Sequence, residues 1–128
     1  MDTQHYERMV RDFLASWESR DTDRIISFFA DDAIYHNIPV DPIKGKDAVR
    51  EIFQAIVDTF REIRLEVLNV AAQGNVVMAE RIDHFVTNDG AVVTLPVTGV
   101  FNIRDGQIAR FADFFDLASF ESQSGMKL

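Results

Sequence analysis

The 128-residue chain predicts a single α+β domain, residues 1–128, with three N-terminal helices packed on one face of a curved antiparallel sheet. Three observations predict it. Up to Phe60 the apolar residues recur at helical spacing; from Ile63 onward they alternate; and glycine-bearing tight-turn signals separate the alternating runs.

Tyr6, Met9, Val10, Phe13, Leu14 and Trp17 follow the i, i+3, i+4, i+7 spacing of an amphipathic first helix. Asp21-Thr22 breaks that pattern and can cap a short second helix holding Ile25, Ile26, Phe28 and Phe29. An extended stretch from Ala33 to Ile38 enters a loop with Pro39 and Pro42 that ends at Gly45. A third helix then carries Val49, Ile52, Phe53, Ile56 and Phe60 on one stripe. Strands are expected over Ile63 to Ala71, Val76 to Val86, Ala91 to Ile103 and Ile108 to Asp116. Gln73-Gly74-Asn75, Asn88-Asp89-Gly90 and Asp105-Gly106 join them. Pro96 cannot donate to a ladder, so a bulge or an edge position is expected there.

Composition bounds the function. Cysteine is absent, which removes disulfides, thiolate metal sites and cysteine nucleophiles. Net charge is −8, from 21 acidic against 13 basic residues, the wrong sign for a nucleic-acid partner. No run approaches the length of a membrane span, and Met1-Asp2-Thr3-Gln4-His5 is polar, with no apolar segment behind it for a signal peptide. A soluble cytoplasmic protein is expected. Eleven phenylalanines in a chain almost half apolar suggest a large core or a core with a cavity, suited to a neutral, apolar ligand.

Alternation along strands singles out the polar candidates. Arg81 and Asp83 share a face with Val77, Ala79 and Phe85, and Tyr35 and Asn37 share theirs. Asp113 falls with Phe111 and Phe115 on a face that should be buried, whereas Arg110 and Asp116 fall opposite and read as an exposed charge pair. Arg-x-Asp on a strand is commonly a solvated pair of small value. A carboxylate between two phenylalanines does not fit that description, because burial is costly unless the group is paired or protonated. A guanidinium can fork between two carboxylates, so Arg81 is the natural partner. An Arg81–Asp83–Asp113 cluster holding one proton is neutral, with an acid and a base side by side.

His36 and His84 fall on the faces opposite these groups and lack a second ligand at metal spacing. Asp31-Asp32 reads as a solvated helix end. Ser16 and Ser27 sit in helical segments, outside any nucleophile elbow. No metal, cofactor or covalent serine mechanism is expected.

Tyr35-His36-Asn37, Glu80-Arg81-Ile82-Asp83, Gly99-Val100-Phe101 and Asp113-Phe114-Phe115-Asp116-Leu117 together resemble limonene-1,2-epoxide hydrolase and its relatives, within the NTF2-like (SnoaL-like) cone-shaped fold. The resemblance runs from about Phe13 to Phe120 and implies three N-terminal helices on a curved, mostly antiparallel mixed sheet. It implies a cofactor-independent epoxide hydrolase: Asp83 as general acid to the epoxide oxygen, Asp113 as base, Arg81 bridging them, and Tyr35 and Asn37 holding the water. It also implies Leu95, Val97, Phe101 and Phe120 as the apolar substrate-binding wall, and a homodimer through the exposed sheet face. The best-known members have a longer N-terminal extension, and a glutamine where His36 stands. Two alternatives stay open: an acid–base isomerase, cyclase or dehydratase, and a non-catalytic ligand-binding or dimerisation domain.

Overall fold

The computed structural model describes residues 3–128; Met1 and Asp2, where the polar N-terminal stretch begins, lie outside the described residues. Helices α1 (Thr3–Ser16), α2 (Thr22–Ile26) and α3 (Lys46–Thr59) precede most of the sheet. The strands are β1 (Phe29–Asn37), β2 (Ile43–Lys44), β3 (Phe60–Gln73), β4 (Val76–Thr87), β5 (Val92–Arg104) and β6 (Gln107–Phe114), and α4 (Leu117–Ser124) follows them.

The apolar stripe of α1 buries Val10, Phe13 and Leu14, and the chain continues through one 3-10 turn, Trp17–Ser19, that buries Trp17. The Asp21 carboxylate accepts the Arg24 backbone N–H at 3.3 Å and so caps α2 as expected. Phe13 is the hub of the core, with ring centroids 5.3 Å from Phe29 and Phe111 and 5.9 Å from Phe101. α3 lays Val49, Phe53 and Val57 into the same core.

The six strands form one sheet in the order β2-β1-β6-β5-β4-β3. β1 runs parallel to β6, and every other pairing is antiparallel. The mixed α+β architecture is therefore the one expected. Asp105 and Gly106 both have positive φ, 53° and 72°, the geometry of a two-residue hairpin that closes β5 on β6. Among the described residues no helix is long and apolar enough to cross a membrane.

Several local expectations change. Phe29 and Phe60 open strands instead of ending helices, because each is the first residue drawn into the sheet by core packing. Asp31 and Asp32 lie exposed on β1, not at a helix end, and Asp32 pairs with Arg104. Arg110 does not pair with Asp116: Arg110 donates to Asn102 Oδ1, and Asp116 caps α4 by accepting the Ala118 N–H at 3.1 Å. Pro96 makes no bulge. It pairs in register with Ile82, and β6 ends at Phe114, so β5 is locally an edge on that side.

Candidate active site

Strand order brings the polar candidates together. Asp83 and Arg81 on β4, Asp113 on β6 and Tyr35 and Asn37 on β1 all point to the helix-covered face of the sheet. The parallel register sets Asn37 directly beside Asp113, and Asp113 lies opposite Gly99 on β5.

Arg81 is 1% exposed, the largest fully buried side chain of the described residues, and it holds both carboxylates. Its Nε donates to Asp83 Oδ1 at 2.7 Å and Nη2 to Asp83 Oδ2 at 3.2 Å. Nη1 donates to Asp113 Oδ1 at 2.9 Å and Nη2 to Asp113 Oδ2 at 2.5 Å. Such forked, charge-assisted bonds are strong and directional, so both acids have fixed orientations. The Arg81 guanidinium carbon also lies 5.7 Å from the centroid of the Phe111 ring, which is stacked on Phe101 at 4.5 Å.

β4 and β6 are not neighbours, so Arg81 reaches Asp113 across β5. Gly99 makes the crossing possible. A Cβ at this position would stand 2.7 Å from Arg81 Nη1 and 2.9 Å from Asp113 Oδ1. In the sequence Gly99 stood out only within the Gly99-Val100-Phe101 segment, with no role of its own. The available signal was a glycine in a strand interior, which often marks the close approach of another group.

Burial raises the Asp83 carboxyl, and Asp113 adds to the shift; the Arg81 charge and hydrogen bonds oppose it. Burial wins, leaving Asp83 at about 6. For Arg81, burial works against the charge, but Asp113 and Asp83 outweigh it and hold the guanidinium ionised. The Tyr35 phenol is pushed well above its ordinary value, chiefly by burial and next by Asp113, so it stays a neutral hydroxyl. Tyr35 donates to Asn37 Oδ1 at 3.0 Å, which leaves its oxygen lone pairs and the Asn37 amide N–H groups for a third partner.

Tyr35, Asn37, Asp83 and Asp113 form the polar end of a cavity of about 280 Å³. Apart from Thr59 its other walls are apolar: Ile52 and Ile56 from α3, Phe60 and Phe85 from β3 and β4, Leu95 and Val97 from β5, and Phe120 from α4. Leu95, Val97 and Phe120 thus stand on the wall. Phe101 does not: it is fully buried behind the cluster against Phe13 and Phe111, because the inner face of β5 passes from cavity to core beyond Gly99. Helix α4, with Met126 beyond it, contributes walls that the alternating pattern did not indicate. His36 bonds the Val40 carbonyl and His84 bonds Glu66, both away from the cluster. Among the described residues no three His, Asp or Glu side chains gather as a metal site.

A buried acid pair facing an apolar cavity can donate and accept a proton without covalent attachment to a ligand. Comparison with known proteins places this architecture. The epoxide hydrolase EphG of Mycobacterium tuberculosis is 26% identical over 108 residues, which cover 84% of this chain and 71% of that protein. The solved structure of an M. tuberculosis LEH-like epoxide hydrolase aligns with a TM-score of 0.83 at 25% identity, over 94% of this chain and 90% of the other. A putative polyketide cyclase from Xanthomonas campestris pv. campestris shares the fold, with a TM-score of 0.86 at 24% identity over 94% and 97%. Residues 10–111, most of the sheet and the helices that cover it, match the SnoaL-like domain. With its NTF2-like cone of helices on a curved mixed sheet, this chain belongs to the SnoaL-like domain family.

Proposed function

We propose that this protein is a cofactor-independent epoxide hydrolase that adds water to an apolar epoxide in one acid–base step, giving a vicinal diol. The observation that carries this reading is the Arg81 clamp, which joins two buried carboxylates at the polar end of an apolar cavity. Similarity to EphG and to the LEH-like epoxide hydrolase supports it.

The chemistry follows from what each group can give or take. A water beside Asp113 accepts from the Asn37 amide and donates one hydrogen to Asp113 and the other to the Tyr35 oxygen. One lone pair is left for carbon. As water oxygen bonds to the epoxide carbon, Asp113 takes its proton, the carbon–oxygen bond of the ring breaks, and Asp83 gives its proton to the departing oxygen. The cluster starts and ends with one proton shared between two acids, so its net charge is unchanged. That matters in a dry site, where each uncompensated charge is costly. Anchoring the water by three groups removes much of the entropic barrier to attack. Leu95, Val97 and Phe120 bind the apolar body of the substrate. The reading includes a homodimer formed through the outer face of the sheet.

The test is diol formation, with oxygen-18 from labelled water, on a panel of cyclic and acyclic apolar epoxides. Wild type should incorporate one labelled oxygen per diol, and Asp83→Asn and Asp113→Asn should each lose about 10²–10⁴-fold in kcat. Activity surviving both substitutions would remove the mechanism. A wild type silent on every epoxide would favour an acid–base isomerase, cyclase or dehydratase, none of which requires an Arg-clamped pair, or a binding domain without chemistry.

A further inference from the structure

Behind the carboxylates lies a second, smaller chamber of about 50 Å³ that the reaction as written does not use. It shares Tyr35, Asp83 and Asp113 with the main cavity and is walled elsewhere by Trp17, Leu65 and Phe111. Trp17 is 4% exposed, and its indole Nε1 has no hydrogen-bond partner. Buried donors are rarely left in this state; protein or an ordered water satisfies them. The ring cannot easily turn away, since it packs edge-on against Phe53 at 4.9 Å and Phe13 at 6.4 Å.

The chamber meets the requirements for water. Some 10–15 Å³ accommodates one molecule, provided two to four polar partners are within reach. Its lining includes Trp17, whose buried indole N–H has a bond to give, and Asp83 and Asp113, whose carboxylate oxygens can accept. Arg81 spends four N–H groups on those carboxylates and keeps a fifth, on Nη1, unengaged.

We infer that this chamber is a water-binding site in which Trp17 Nε1 donates to an ordered water that in turn donates to the carboxylate pair. Its use rests on the hydrolase reading. Each turnover adds one water to the substrate, while an apolar substrate in the main cavity displaces water from the apolar walls and closes that route. A water held at the polar end, in a chamber that α4 does not line, renews the one consumed. Trp17 is then a positioning residue for the reacting water and touches no substrate.

Trp17 is the only tryptophan, so its indole N–H gives one signal in a nitrogen-15 correlation spectrum. In the wild type this proton should show a cross-peak to water with the sign of dipolar contact, not exchange. Absence of the cross-peak overturns the site, whatever the catalytic activity. Trp17→Phe, which keeps the ring and removes the donor, should lower kcat about two- to tenfold, the value of one hydrogen bond, with KM unchanged. The epoxide for this measurement is whichever member of the panel the wild type hydrates fastest. An unchanged kcat, or a raised KM that marks the chamber as a substrate subsite, overturns the supply role. Silence of the wild type on all epoxides defeats the hydrolase reading and the supply role together, while the cross-peak still decides the water site.

Discussion

Arg81 and Asp83 set the pH behaviour of the cluster in opposite senses. Arg81 stays charged throughout, while burial leaves Asp83 protonated up to about pH 6. If Asp83 is the acid, kcat/KM should fall tenfold per pH unit above about 6, because that ratio reports the free protein. The corresponding limb of kcat should lie at higher pH, since a bound apolar substrate removes more water from around the carboxylate and raises it further. Rate profiles of both parameters between pH 4 and 9 check this; coincident limbs would count against it. At Gly99 the expected outcome is steric. Gly99→Ala drives a methyl group into Arg81 Nη1 and Asp113 Oδ1. It should cost about 1–3 kcal/mol in denaturant unfolding and, by moving Asp113, about 10²-fold in kcat. A Gly99→Ala protein with full activity would mean that the clamp is dispensable.

At the scale of elements, α4 matters most among the parts that local pattern did not announce. It is eight residues long and held by more than apolar contact. Gln123 accepts the Thr94 backbone N–H at 2.8 Å and donates to the Thr94 carbonyl at 3.1 Å, taking the place of a strand neighbour where β5 has run past the end of β6. The same local edge accommodates Pro96. This pairing holds Phe120 over the cavity. Gln123→Ala should therefore raise KM severalfold with kcat little changed, since it loosens binding and not chemistry. The stability loss should be near 1 kcal/mol. Steady-state kinetics on an active epoxide separate the two parameters. The longer elements were legible in their period: α1, α3 and the four long strands appear where helical or alternating spacing placed them. Phe29 and Phe60 were not, because an aromatic residue at a junction satisfies both periods and tertiary packing chooses between them.

For the whole molecule, the distribution of apolar surface is more informative than its amount. The outer face of the sheet exposes Leu68 and Phe114, each at 46%, and Met78 at 51%. Leu68 and Phe114 border one groove that also involves Ile82 and Pro96. A second copy covering this face would bury that surface and leave the cavity, on the opposite side of the sheet, open. Sedimentation at tens of micromolar should give a dimer for the wild type and a monomer for Phe114→Glu. A wild-type monomer would remove the homodimer from the proposed function. The acidic balance of −8 keeps such a particle soluble.

Arg81, Asp83 and Asp113 return the division between sequence and structure at its clearest. Alternation by itself determined that Arg81 and Asp83 share a face and that Asp113 sits among phenylalanines, because side-chain direction in a strand depends only on the local backbone. It also determined α+β, through the change of period after Phe60. Only the tertiary structure decided that β5 separates β4 from β6, that Gly99 clears the path between them, and that Phe101 belongs to the core instead of the cavity. It alone brought Trp17, from the turn after α1, to the wall behind the acids. Strand order and register are set by contacts between residues far apart in the chain, and no local period records which of those contacts will form.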